Sequence, residues 1–193
     1  MFPLGHVGMA LLFVAPVVLL LDRKRRYPPV AVLALATALL PDLDGKIPFS
    51  HHHGGPHTVL FVLSVSLAVG LSLAFVSANL TWLARRVDGL PSFRPRAAFA
   101  LGAGGALAGL GSHLFADVLM IPIADNPVEP FWPVSERTVA LGLMHPGDPA
   151  WNWGLLAAGV AVQALALTFV FVRTRGYWTP VRTGRSGDSN QSR

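Results

Sequence analysis

A chain of 193 residues with 52% hydrophobic and only 13% charged side chains holds more apolar surface than one water-soluble core can hide. An ordinary soluble domain has about a quarter of its residues charged. The formal charge of +5 does not point to nucleic acid, because the basic residues cluster at the ends of apolar runs and form no face interleaved with aromatics. With no cysteine in the chain, disulfides and thiolate metal ligands are ruled out.

Residues 2–21 form the first apolar run, interrupted by His6 and closed by Asp22-Arg23-Lys24-Arg25-Arg26. A signal peptide carries its positive charge before the apolar region, so the reversed order here reads as a retained helix with its N-terminus outside. The second run, 28–40, is short and is expected to stop within the depth of the bilayer, at Pro41. Residues 59–83 make the third span, closed by Trp82, Arg85 and Arg86. The fourth, 97–121, has a glycine- and alanine-rich middle suited to close helix packing in lipid. A long loop over 122–150 carries Phe131-Trp132-Pro133, and 151–172 is the fifth span, with Trp151 and Trp153 as interface anchors. The predicted fold is therefore all-α: a polytopic membrane protein of about five transmembrane helices. It divides into a helical membrane domain, 1–172, and a basic, disordered cytoplasmic tail, 173–193.

The charges support this topology. Arg23, Lys24, Arg25, Arg26, Arg85, Arg86, Arg94, Arg96, Arg173, Arg175, Arg182, Arg185 and Arg193 fall inside, and only Lys46 and Arg137 fall outside. The same topology puts all seven histidines in the outer half of the bilayer or beyond it. Counted from the basic end of each helix, His6, Asp42 and His113 lie at one level, roughly 24 Å up at 1.5 Å per residue, with Asp117 a turn further out. Ionisable residues at that depth are costly unless paired or metal-bound, so they read as functional.

The stretch 41–58, PDLDGKIPFSHHHGGPHT, holds two aspartates and four of the seven histidines. Carboxylate and imidazole together suit zinc, manganese or iron. Asp42 and Asp44, at i and i+2, both reach one metal if the chain is non-helical there. Which of His51, His52 and His53 faces inward is left open by their spacing, while His57 stands at the start of a lipid helix. His113 and Asp117, at i and i+4, share one helical face. His145 reads as a surface loop residue, and Glu129 and Glu136 have no spacing argument in their favour.

The combination of His6, Pro41-Asp42-Leu43-Asp44, His52 with His57, His113-x-x-x-Asp117 and Trp132-Pro133 resembles the YdjM-like family. That family is described as inner-membrane, LexA-regulated, metal-dependent hydrolases. His53, Pro56 and Thr58 stand where the family pattern has Arg, Thr and Ser, and losing the Arg removes a fixed cation suited to phosphate. Read this way, Asp42, His57, His113 and Asp117 are core metal ligands and His6 completes the set. Asp44 and His52 support the site or act catalytically, with a spare Asp or His as general base. The expected cofactor is a divalent metal, zinc ahead of manganese or iron, in a mono- or dinuclear, extracytoplasmic-facing site. The expected substrate is amphiphilic, a lipid-like ester or phosphoester. Two rivals use the same residues: a non-enzymatic metal-binding or cation-transport protein, and a metal-independent lipid phosphatase.

Overall fold

The computed structural model describes residues 1–20, 27–46, 54–87, 94–122 and 127–175. Five α-helices make up most of it: α1 (Pro3–Leu20), α2 (Tyr27–Ala38), α3 (Val59–Ala84), α4 (Pro95–Val118) and α5 (Pro149–Arg175). Short 3-10 turns cover Pro41–Lys46 and Gly55–His57. In lipid, each backbone polar group needs an internal partner, which leaves the helix as the available form for such apolar segments.

Four segments are long and apolar enough to cross a membrane: Pro28–Gly45, Val59–Ala84, Pro95–Val118 and Pro149–Val172. A shorter apolar helix, Pro3–Val17, accompanies them. The first of these, Pro28–Gly45, reaches bilayer length only with the 3-10 turn that follows α2, as its short apolar run predicts. The fourth helix stops at Val118, three residues before the expected end, and the chain turns there to pair with a later stretch. Leu141 N donates to Val118 O at 2.7 Å, and Ile121 N to Met144 O at 2.8 Å. The helix α5 carries through to Arg175, and the rest of the expected tail, 176–193, lies outside the described residues.

The helix α4 is the hub. It packs against α3, α2 and α1, while α5 packs chiefly on α1. Glycines make these approaches close, as the sequence of α4 suggests. A methyl group at Gly102 would sit 3.1 Å from Val69 O, one at Gly105 would sit 3.2 Å from Val30 O, and one at Gly109 would strike Ala34 O and the Thr37 hydroxyl. Gly109→Val therefore pushes α2 off α4 and is expected to destabilise the protein by about 1–3 kcal/mol. Gly104→Ala, which points into open space, is expected to be neutral. Thermal unfolding of both variants in detergent checks the contrast; equal midpoints would contradict it.

Polar groups tie α1 to α5 inside the apolar bundle. Gln163 Nε2 donates to Leu11 O at 2.5 Å, and buried Asn152 accepts from Phe2 N at 3.1 Å while donating to Asp148 O at 2.8 Å. These bonds hold the first turns of α1, and with them His6, at the end of the bundle where α2 has already stopped. The early end of α2 leaves room there for side chains from α1, α4 and the two 3-10 turns.

Candidate metal centre

His6, His57, His113 and Asp117 are all buried at that end of the bundle, and Asp42 is 24% exposed at its edge. His113 is central. Its Nε2 lies 3.0 Å from Asp117 Oδ2, 3.1 Å from His57 Nε2 and 3.5 Å from Asp42 Oδ1. His57 Nε2 lies 3.5 Å from Asp117 Oδ2 and 3.7 Å from Asp42 Oδ1. His6 Nε2 is 3.5 Å from Asp117 Oδ1 and 3.7 Å from Asp42 Oδ2, with its ring stacked on that of His113 at 3.8 Å. The Met1 nitrogen lies 3.5 Å from Asp117 Oδ1.

The local folds explain these placements. In α4, the i and i+4 spacing brings His113 and Asp117 onto one face, as expected. His57 closes a 3-10 turn held to α3 by Thr58, whose hydroxyl donates to Gly55 O at 2.8 Å and accepts from Phe61 N at 3.1 Å. Asp42 and Asp44 part company. In a 3-10 turn successive residues rotate by about 120°, so residues two apart point in different directions. Asp42 faces the cluster, while Asp44 Oδ2 stands 3.3 Å from the other nitrogen of His57, Nδ1. The sequence reading that both reach one metal assumed a looser chain than the turn allows.

The other ring nitrogen of His113, Nδ1, is 2.6 Å from the carbonyl oxygen of Ala38, the last residue of α2. A carbonyl at a helix C-terminus has no partner within its helix, so Nδ1–H donates to it and the Nε2 lone pair is left facing the cluster. Residue types alone carry no signal for this contact, because its acceptor is backbone. Of the remaining expectations, His145 is exposed and accepts from Gly147 N at 3.2 Å, as a loop residue would. His51, His52 and His53 lie outside the described residues.

Two triplets meet the requirements of a metal site, His6 with His113 and Asp117, and Asp42 with His57 and His113. They share His113, whose Nδ1 is engaged by Ala38, so only one of its nitrogens is available to an ion. The triplets therefore describe one centre. Ligand atoms on a single ion with bonds of 2.0–2.1 Å are about 3.3 Å apart in a tetrahedron, and the spacings of 3.0–3.7 Å from His113 Nε2 and His57 Nε2 to each other, to Asp117 Oδ2 and to Asp42 Oδ1 are of that size. Both ring nitrogens of buried His6 lack a hydrogen-bond partner, a costly arrangement that a metal relieves at Nε2. The His/Asp groups are positioned to hold a metal ion.

Fold and site together define a multi-pass helical membrane protein with a buried histidine–aspartate centre at one end of its bundle. The family model described as YdjM inner membrane protein matches residues 1–180, and the chain belongs to that family. The resemblance read from the motifs is thereby borne out. No curated protein and no solved structure gives a significant match.

Proposed function

We propose that this protein is a membrane-embedded, zinc-dependent hydrolase acting on a lipid-like ester or phosphoester near the outer leaflet. The observation that carries this reading is the edge of the centre at Asp42. Four of the five donor residues are sealed from solvent and the fifth is 24% exposed, so the cluster is reached from one side. Structural metal sites are closed, whereas catalytic ones keep a position for water or substrate. Three imidazoles and two carboxylates suit zinc ahead of manganese or iron.

When bound, a divalent ion supplies Lewis acidity, which activates water near neutral pH and polarises an ester or phosphoryl oxygen. His6, Asp42, His57, His113 and Asp117 would hold it. Asp44 orients the His57 ring through Nδ1, and the Ala38 carbonyl does the same for His113, the supporting contacts that metal-binding histidines use. Asp42, the most exposed residue of the centre, marks the side from which water and substrate would arrive. The extracytoplasmic orientation rests on charge. The centre lies at the end of the bundle opposite Arg85, Arg86, Arg94 and Arg96, and basic residues favour the cytoplasmic side.

Protein reconstituted in vesicles should hydrolyse a lipid ester or lipid phosphoester. Turnover should cease with chelator, return with zinc and be absent in Asp117→Asn. Metal-loaded protein inert towards both ester classes would overturn the hydrolase reading. Chelator-insensitive turnover that survives Asp117→Asn would overturn the metal's role.

A further inference from the structure

The turn over residues 130–135 projects its apolar side chains outward. Val134 is 92% exposed, Phe131 53% and Trp132 47%. On a surface facing water such a cluster is unfavourable, and three of the turn's backbone N–H groups are paired within the protein. Trp132 N donates to Glu129 O at 3.1 Å, Val134 N to Phe131 O at 2.9 Å and Ser135 N to Phe131 O at 3.1 Å. Pro130 and Pro133 have no N–H to satisfy. Each of these bonds, like each proline, lowers the cost of bringing irregular backbone up to the headgroup region, where the turn's other carbonyls still reach water.

The turn's height is also fixed. Pro130 O accepts from Val59 N at 2.8 Å, which joins the turn to the first residue of α3. The lipid-facing surface of α3 starts at that point, with Val59, Leu60 and Leu63 exposed. Trp151 and Trp153, exposed at the start of α5, mark the same end of the bundle, while Trp82 marks the opposite end. Tryptophan gathers at the two membrane interfaces. The polar Ser135-Glu136-Arg137 that follows is exposed and supplies the water-facing side of the turn.

We propose that Phe131, Trp132 and Val134 insert into the headgroup–acyl boundary of the bilayer and seat the mouth of the histidine–aspartate centre against lipid. Trp132 links the two, since its ring lies 4.0 Å from where a Cβ on Gly55 would stand, two residues before His57. This is an interaction surface of the loop, with lipid as partner. It stands whether or not the centre is hydrolytic.

The cysteine-free chain makes the test direct. Single-cysteine variants V134C and F131C of the full-length protein, spin-labelled in phosphatidylethanolamine–phosphatidylglycerol nanodiscs, report collision rates with oxygen and with a water-soluble nickel chelate. E136C serves as the aqueous reference and L67C, exposed on α3, as the hydrocarbon reference. Labels at 134 and 131 should meet nickel several-fold less often than the label at 136 and should favour oxygen. Nickel accessibility equal to that of E136C would overturn the proposal. Spin–spin broadening relieved by diluting with unlabelled chain would also overturn it, because a second copy would then cover the turn. Neither readout uses metal or substrate, so failure here leaves the hydrolase reading to its own test.

Discussion

Stripping the protein of metal with a chelator is expected to lower its thermal midpoint by on the order of 10 °C, and restoring zinc to reverse the loss. The reason is the local density of ionisable groups. Asp42, Asp44, Asp117, His6, His57 and His113 form one cluster at the end of an apolar bundle, and three of the six are carboxylates. Groups of that kind at lipid depth are costly unless an opposite charge compensates them. An ion present at a thousand times its Kd stabilises the folded state by about 4 kcal/mol, and each kcal/mol is worth about 2–4 °C for a chain of this size. In Asp117→Ala the midpoint should lie close to the chelated level, and chelator should lower it by much less than in the wild type. A chelator effect of equal size in that variant would place the metal elsewhere in the molecule.

The second large effect is on affinity. His113→Ala should reduce zinc binding by about a hundredfold or more. Structural zinc sites bind with about 10–16 kcal/mol from four ligands, so one ligand is worth roughly 3 kcal/mol. His113 belongs to both candidate triplets, so its loss leaves neither intact. Asp44→Asn should have a smaller effect, roughly 10–100-fold, because Asp44 meets His57 at the far nitrogen, Nδ1, rather than at the one facing the cluster. His145→Ala, in the exposed loop, should bind like wild type. Competition titration against a chromogenic chelator ranks the three. An Asp44→Asn loss exceeding that of His113→Ala would reverse the assigned roles.

Much of this site was legible in the chain. The apolar runs and their basic ends indicated the helices, because lipid permits few alternatives for such segments. Counting residues up from those ends put His6, Asp42 and His113 at one depth, and their side chains meet. The pair His113 and Asp117 followed from helical periodicity alone. What escaped was whatever depends on tertiary register or on local turn type. A 3-10 turn over Pro41–Lys46 turns Asp44 away from Asp42 and towards the back of His57. Nothing in the order Pro-Asp-Leu-Asp distinguishes that turn from an extended loop. The contact of Ala38 with His113 is likewise invisible, since any residue there presents the same carbonyl. The turn over 130–135 stood out in sequence as Phe131-Trp132-Pro133 within a long loop. Its relation to α3 depends on one backbone hydrogen bond across 71 positions, from Val59 to Pro130.

Metal content per chain, measured by mass spectrometry on untagged protein purified in detergent, tests the centre most directly. The shared His113, with one nitrogen committed to Ala38, predicts a single divalent ion per chain that is retained through dialysis. Protein that is metal-free and stays so on titration with zinc, manganese and iron would contradict the account.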